Sequence, residues 1–193
     1  MVIALSEGLA VRMQRRAEAE RRESVWVRDA QRGSAAAIEH LFRSHWPQAH
    51  RAALLVVGDA AAAEDIAQEA FLAAVRALDR FDRRRPFGPW LHRIVVNRSI
   101  DWARARALRR ELTADASAEP AAPEQPSSTA SDRIAAALAE LGPEHRAVVV
   151  LRYLLDYTPG EIAELLVLPR GTVNSRLRRG LDRLAAALEE ADR

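Results

Sequence analysis

The stretch that decides the fold is Thr158–Leu184, TPGEIAELLVLPRGTVNSRLRRGLDRL. Its apolar residues recur at spacings of three and four, which gathers them on one stripe of each helix. Pro159 and Pro169 suit the first turns of two helices, where no amide donor is lost. The pattern predicts a helix-turn-helix that reads DNA, and a plain two-helix hairpin with solvated arginines is the alternative. The predicted buried residues are Ile162, Leu165 and Leu166 in the first helix and Val173, Leu177, Leu181, Leu184 and Leu188 in the second.

Charge is distributed unevenly along the 193 residues, although the net charge is only +2. All 29 basic residues are arginine. Residues 1–110 hold 20 arginines against 13 acidic residues, residues 111–132 hold five acids and no base, and residues 133–193 hold nine of each. This distribution predicts a basic domain, an acidic connector and a neutral domain that contains a local basic helix.

Several function classes are excluded by what the sequence lacks. There is no cysteine, and His40, His45 and His50 are spaced by five, which rotates them off a common helix face. We therefore expect no metal site and no cofactor. No apolar run has the length of a membrane span or a signal-peptide core, so we expect a soluble, cytoplasmic protein. No phosphate-cradling glycine loop and no catalytic constellation is present, so we expect no enzyme activity.

The periodic segments predict an all-α protein of two small helical domains joined by a flexible acidic linker. The linker, residues 113–132, contains three prolines and no large apolar residue, so it buries too little surface to offset its ordering entropy. The predicted segments are a leader at 1–22, a first domain at 23–112, the linker at 113–132 and a second domain at 133–193. In the first domain we predict helices at Ser24–Arg32, from a Ser34 cap to Val57, at Ala63–Leu78 and from Trp90 to about Arg110, with a turn at Arg80–Pro89.

Three motifs carry a resemblance to a known family. They are Gly58–Phe71 (GDAAAAEDIAQEAF), Ala77–Asp101 (ALDRFDRRRPFGPWLHRIVVNRSID) and Gly171–Arg176 (GTVNSR). Together they closely resemble the extracytoplasmic-function sigma factors of bacterial RNA polymerase, over roughly residues 23–188. The resemblance implies that residues 23–112 are sigma region 2, which binds core polymerase and recognises and melts the minus-ten promoter element. It also implies that residues 133–193 are sigma region 4, which recognises the minus-thirty-five element and initiates transcription of a specific regulon together with region 2.

The resemblance also assigns roles to individual residues. Asp65, Gln68, Glu69 and Leu72 match the motif that docks on the clamp helices of the polymerase's largest subunit, although an ordinary solvated face would have the same spacing. The residues that match the minus-ten and melting segment are Arg83, Arg84, Arg85, Phe87, Trp90, Arg93, Asn97 and Arg98. The residues that match the minus-thirty-five reader are Arg170, Thr172, Asn174, Ser175, Arg176, Arg178 and Arg179. Phe87 and Trp90 stay open between base stacking and core packing, and Arg104 and Arg106 between phosphate contacts and a solvated basic face.

One residue departs from the family pattern. Family members often have glycine in the turn between the two helices of the helix-turn-helix, where this chain has Val167. A β-branched residue in the left-handed conformation would cost about 1 to 2 kcal/mol. We therefore expect the turn to bend differently here.

The expected partners follow from the same resemblance. They are core RNA polymerase, promoter DNA both double-stranded and as a melted single strand, and an anti-sigma factor whose contact surface includes the leader. The free protein is expected to be a monomer. Two alternatives remain: an ordinary helix-turn-helix regulator, which would form dimers on palindromic sites, and a sigma mimic that sequesters a partner without binding DNA. The arginines of the second helix argue against the mimic.

Overall fold

The structure, a computed structural model, describes residues 22–113 and 130–191, and within these ranges it contains eight helices, one 3-10 turn and no strand. The all-α prediction of two small helical domains is thereby confirmed. The leader and most of the linker lie outside the described residues, so the predictions made for them stay predictions. No helix within these two ranges is both long and apolar enough to cross a membrane.

The first domain consists of four helices and a 3-10 turn. These are α1 at residues 22–31, α2 at Ala35–Val57, α3 at Ala60–Ala77, the 3-10 turn at Leu78–Arg80 and α4 at Phe87–Thr113. Their apolar faces meet in a core that includes Val27, Leu41, Phe71, Leu91 and Val95. The inner face of α3, which contains Ile66, Ala70, Phe71 and Ala74, is buried, and Leu78 of the 3-10 turn continues this buried face.

Local signals end and start these helices. α2 begins after the predicted Ser34 cap, whereas α3 begins at Ala60, three residues before the predicted start at Ala63. The Ser34 side chain caps α2 and the Asp59 side chain caps α3, each by accepting a hydrogen bond from a backbone N–H three residues on. Gly33 and Gly58 precede the two caps with φ angles of 86° and 69°. Glycine adopts this left-handed conformation without steric cost, so both residues end a helix cleanly.

The start of α4 differs from the prediction. We expected a turn through Pro89 and a helix from Trp90, but α4 begins at Phe87. Pro89 lies in the first turn of this helix, where a missing N–H removes no intrahelical hydrogen bond. The prediction was wrong because Pro89 was assigned to the loop.

The second domain also consists of four helices. They are α5 at Ala130–Ala139, α6 at Pro143–Tyr153, α7 at Pro159–Leu166 and α8 at Arg170–Ala191. Helix α6 packs against α7 and α8 of this domain and against α2 and α4 of the first. The run Ala147–Leu151, which resembles a strand in sequence, is helical and buried at every position because neighbouring helices enclose α6. α5 begins at Ala130, so the last three residues of the predicted linker are helical.

The two domains pack against each other, which the sequence did not predict. Ala52, Val56, Val96 and Ile100 from the first domain share one apolar cluster with α6 and α7 of the second. The Arg104 guanidinium pairs with the Glu144 carboxylate at 2.6 Å across this boundary. The described arrangement is therefore closed, with α2 and α4 covered by the second domain.

A buried arginine joins the domains at the centre of this contact. Arg146 is only 8% exposed, and its Nη1 donates to the carbonyl of Val56 at 2.7 Å. Its Nη2 donates to the carbonyls of Ala139 at 2.6 Å and Leu141 at 2.9 Å. Burial lowers the pKa of Arg146 from its usual value. The guanidinium thus satisfies carbonyls at the ends of α2 and α5 and in the turn that follows α5.

Candidate nucleic-acid and partner interfaces

The outer side of α3 presents the four residues that match the core-binding motif. We call Asp65, Gln68, Glu69 and Leu72 the α3 polar face, and all four are exposed. They lie opposite the buried residues of the same helix, as the helical period requires. The Glu69 carboxylate accepts a hydrogen bond from Arg98 of α4 at 2.6 Å. The face therefore combines carboxylates, an amide and one exposed leucine.

An apolar groove adjoins this face, and the sequence did not predict it. The α2–α3 groove has a volume of about 500 Å³. It is lined by Ala35, Ile38, Glu39, Leu41, Phe42, Gln68, Phe71, Leu72, Val75, Leu78 and Phe87. Phe42, Leu72 and Val75 are 38%, 54% and 40% exposed, although all three are large apolar residues. Exposed apolar surface of this kind marks an interaction site.

The arginine cluster lies in the loop between the 3-10 turn and α4. Arg83, Arg84 and Arg85 are all exposed. Arg84 is held by Asp82, whose carboxylate accepts hydrogen bonds from the Arg84 backbone and side chain. The hydrogen bonds from Arg84 lower the pKa of Asp82 below its usual range. Asp82 thus fixes the position of Arg84 at the centre of the cluster.

Aromatic residues lie at both ends of this loop. Phe87 is 3% exposed and lies in the core of the first domain, with its ring centroid 6.0 Å from that of Phe81. Trp90 is half-buried, and its ring centroid is 4.6 Å from that of Phe81. The structure therefore places Phe87 in the core, where it contacts no partner directly. Trp90 keeps part of its surface accessible.

The rest of α4 divides between exposed and paired side chains. Arg93 and Asn97 are exposed, whereas Arg98 is half-buried and paired with Glu69. Arg106 pairs with Asp59 at 2.6 Å and lies over the Trp102 ring. Arg106, like Arg104, therefore forms an ion pair in this structure.

A cleft separates α4 from α7. The α4–α7 cleft has a volume of about 540 Å³. Arg80, Arg85, Trp90 and Arg93 line it from the first domain, and Tyr157, Glu161 and Glu164 line it from the second. Three of the predicted minus-ten residues, Arg85, Trp90 and Arg93, thus share a cleft with two glutamates of the other domain.

A buried histidine of the first domain contacts the second domain. His92 is 5% exposed, and its Nδ1 is hydrogen-bonded to the Tyr157 hydroxyl at 2.8 Å. Burial, and then the charge on His45, lower the pKa of His92 to about 4, against an opposing effect of Glu23. His92 is therefore neutral at neutral pH, and its proton uptake would destabilise the folded state.

The helix-turn-helix forms as predicted, but its turn keeps the left-handed conformation at Val167 that we expected it to avoid. The Thr158 and Glu161 side chains make a reciprocal capping box at the start of α7. Val167 adopts the left-handed conformation with φ 55° and ψ 50°. The N–H groups of Val167 and Leu168 both donate to the carbonyl of Ala163. The expected change of geometry was wrong, because the turn keeps the left-handed shape with valine in place.

The outer face of α8 carries the predicted readers. Arg170, Asn174, Arg178 and Arg179 are exposed, whereas Thr172, Ser175 and Arg176 are half-buried. The Ser175 hydroxyl donates to the Thr172 carbonyl at 2.9 Å, so this hydroxyl is partly engaged. Val173 and Leu177 are buried on the opposite side, as predicted. The rest of the stripe was predicted to be buried too but is half-buried: Leu181, Leu184 and Leu188. Pro169 immediately precedes the helix.

A glycine that was not predicted to matter allows α8 to approach α6 closely. Gly180 is buried, and a Cβ atom there would lie 3.0 Å from Cγ2 of Val149. Its position between Leu177 and Leu184 on the apolar stripe is the signal that identifies it. The same helix also influences His145 on α6, whose pKa is lowered by burial and then by Arg183 and Arg176. No group of three or more potential metal ligands occurs in the described ranges.

Comparisons with known proteins agree with this architecture. The Sigma-70 region 2 model matches residues 41–109, and the Sigma-70, region 4 model matches residues 131–184. The ECF RNA polymerase sigma factor SigW of Bacillus subtilis is 34% identical over 149 residues, which cover 70% of this chain and 80% of SigW. SigL of Mycobacterium tuberculosis is 36% identical over 170 residues, which cover 85% of this chain and 96% of SigL.

A solved structure gives the same result. CnrH, determined in complex with the cytosolic domain of CnrY, superposes with a TM-score of 0.66 at 30% identity, over 87% of this chain and 97% of CnrH. The match to region 2 leaves the ordinary helix-turn-helix regulator without support. On these grounds the chain belongs to the ECF sigma factors of RNA polymerase.

Proposed function

We propose that this chain binds core RNA polymerase through the α3 polar face and directs it to promoters by holding DNA at two places. The observation that carries the proposal is the exposure of three chemically distinct surfaces, which follow one another along the chain. They are the α3 polar face, the basic start of α4 and the basic outer face of α8. Most of their charged residues are exposed, although the opposite side of each helix is buried.

The α3 polar face suits a basic partner. Asp65 and Glu69 present carboxylates, and Gln68 adds an amide, in a domain that otherwise carries an excess of arginine. Carboxylates bind arginine with charge-assisted hydrogen bonds, and complementary charge orients the encounter. The exposed Leu72 adds apolar contact beside them. These residues would dock on the clamp helices of the largest polymerase subunit.

The start of α4 suits a melted strand. Arg83, Arg85 and Arg93 would neutralise phosphates, Trp90 would stack on a base, and Asn97 offers both a donor and an acceptor. Phe87 supports Trp90 from the core. Extruding a base from the duplex costs a few kcal/mol, which the contacts to the displaced strand would offset.

The outer face of α8 suits a major groove. Asn174, Arg178 and Arg179 are side chains that bond base edges and phosphates. Arg170 lies at the start of the helix, where backbone N–H groups favour phosphate. The close packing of Gly180 on α6 and the capped start of α7 hold this helix in a fixed orientation.

Promoter binding would require the closed arrangement to open. Trp90 and Arg93 line a cleft whose opposite wall carries Glu161 and Glu164, and a phosphate strand would be repelled by these carboxylates. The second domain would therefore leave the cleft. CnrH was solved with the cytosolic domain of CnrY bound to it, and we propose an anti-sigma factor that binds the closed arrangement of this chain in a similar way.

A pair of matched variants tests the polymerase assignment. Asp65→Asn with Glu69→Gln is expected to abolish retention of the chain by immobilised core polymerase. Glu189→Gln with Glu190→Gln makes the same charge change on exposed residues near the end of α8 and is expected to leave retention unchanged. Retention of the first variant at the wild-type level would contradict the assignment.

The promoter assignment is tested on α8. Arg178→Ala with Arg179→Ala is expected to weaken promoter binding by the holoenzyme and to reduce the slope of log affinity against log salt by about two. Retention by core polymerase is expected to stay at the wild-type level. Loss of both activities together would mean that this helix serves another purpose.

A further inference from the structure

The α2–α3 groove is an accessible apolar site that the described chain does not fill. Among its lining residues only Glu39 and Gln68 have polar side chains. It is continuous with the α3 polar face, because Gln68 and Leu72 belong to both. A partner in this groove would therefore lie against the surface proposed to bind polymerase. Grooves of this type commonly accept the apolar face of a short helix.

The first described helix begins at the wall of this groove. The Glu23 carboxylate accepts a hydrogen bond from the backbone N–H of Phe87 at 3.1 Å and contacts His45 at 2.5 Å. Further along α1, the Gln31 amide donates to the carbonyl of Leu78 at 2.9 Å. Phe87 and Leu78 both line the groove. The residues that precede Arg22 thus leave the described structure beside it.

The sequence that precedes α1 has the chemistry to fill the groove. Only Ser6, Glu7 and Arg12 among the first 13 residues have polar side chains. Val2, Leu5, Leu9 and Met13 recur at spacings of three and four, which would place them on one face of a helix.

The connecting segment is long enough and polar enough to remain outside the groove. Residues 14–21 contain three arginines and two glutamates but no large apolar residue. Eight residues span roughly 12 Å as a helix and at most roughly 28 Å when extended. The extended length gives the first 13 residues room to turn back toward the groove from the start of α1.

We propose that residues 2–13 dock in the α2–α3 groove of the same chain through their apolar face. The docked segment competes with core polymerase for the adjoining α3 polar face. This second statement rests on the proposed function, whereas the docking itself does not. The leader is then an intramolecular partner of region 2, and polymerase displaces it.

Thiol reactivity tests the docking without polymerase, because the natural chain contains no cysteine. A Val75→Cys substitution places one thiol in the groove, and its rate of reaction with a maleimide is measured in the full chain. If the docked state holds about nine tenths of the molecules, the thiol reacts about tenfold more slowly than an open one. Adding Leu5→Asp and Leu9→Asp is expected to raise the rate about tenfold.

Controls separate the leader from other occupants. Ala4→Asp with Val11→Asp makes the same charge change on the side of the helix opposite Leu5 and Leu9. It is expected to leave the rate within about twofold of the parent. A rate that is unchanged by Leu5→Asp and Leu9→Asp would overturn the docking. Protection that grows with protein concentration would also overturn it, because a second copy of the chain would then be the occupant.

The competition is read separately from the docking. In the natural background, Leu5→Asp with Leu9→Asp is expected to increase the affinity for core polymerase about tenfold, since the binding-competent state is then fully populated. These substitutions could raise the labelling rate of the groove thiol and yet leave the affinity for polymerase unchanged. That result would refute the competition but not the docking. Failure of the chain to bind polymerase at all would refute the proposed function instead.

Discussion

Val167 holds the turn of the helix-turn-helix in a conformation that a β-branched residue disfavours, so glycine at this position should stabilise the protein. Its φ of 55° and ψ of 50° lie in the left-handed region. A non-glycine residue there costs about 1 to 2 kcal/mol. Val167→Gly removes this cost because glycine has no Cβ atom.

Two opposing effects set the net magnitude. Glycine increases the entropy of the unfolded chain, which lowers the free energy of unfolding by about 0.4 to 1 kcal/mol. The Val167 side chain is 71% exposed, so its loss removes little buried apolar surface. We therefore expect Val167→Gly to raise the free energy of unfolding by about 0.5 to 1 kcal/mol. In a chain of this size that corresponds to an increase in Tm of about 1 to 4 °C.

Urea and thermal denaturation of the full chain measure this effect. Val167→Ala is the matched control, because it removes the β-branch but keeps the Cβ atom that causes the strain. We expect the alanine variant to gain less than the glycine variant. A glycine variant that is less stable than the natural chain would refute the reasoning, since the left-handed turn would then cost valine less than the unfolded-chain entropy that glycine adds, about 0.4 to 1 kcal/mol.

Three further predictions follow from the contacts between helices. Gly180→Leu should lower the free energy of unfolding by about 1 to 3 kcal/mol, because the new Cβ atom would press on Val149. Gly171→Leu should not lower it, because there is open space around Gly171. Denaturation measurements compare the two variants. Arg146→Met should lower the free energy of unfolding by about 2 kcal/mol and increase the radius of gyration measured by X-ray scattering, because three carbonyls, two of them in buried contacts, lose their donor. The exposed Arg51→Met should do neither. The pKa of His92 is lowered to about 4, so between pH 6.5 and pH 4 the unfolded chain binds a proton that the folded chain does not. As the pH falls through this window, the free energy of unfolding should fall more steeply in the natural chain than in His92→Gln, by up to about 1.4 kcal/mol per pH unit. Equal slopes in the two proteins would contradict the lowered pKa of His92.

The fold was predictable where short-range signals decide it. Ser34 caps α2, Gly33 and Gly58 end helices, and the apolar spacing of α3 and α8 selects their buried faces. Each signal depends on residues within one or two helical turns. The start of α4 was misplaced because proline is compatible with both a loop and a first helical turn.

The turn at Val167 was mispredicted for a different reason. Intrinsic preference argues against a left-handed valine, but the buried Ile162 before the turn and Val173 after it fix the two helices relative to each other. The carbonyl of Ala163 then receives both free N–H groups of the turn. Packing of the two helices outweighs a local cost of about 1 to 2 kcal/mol.

Contacts between distant parts of the chain could not be predicted. Arg146 resembles a solvated helix residue in the sequence, yet its carbonyl partner Val56 lies 90 positions away. His92 and Tyr157 are 65 positions apart and meet only because the domains close on each other. The α2–α3 groove likewise depends on how two helices pack. Such features require the tertiary structure, whereas the surfaces of α3 and α8 required only the helical period and the family resemblance.

Transcription in vitro tests the central claim most directly. Core RNA polymerase is combined with the purified chain on a library of genomic fragments, and transcript start sites are mapped. We predict transcripts from a discrete set of promoters that share two spaced elements, and their loss with Asp65→Asn and Glu69→Gln. No transcript above core polymerase alone would contradict the account.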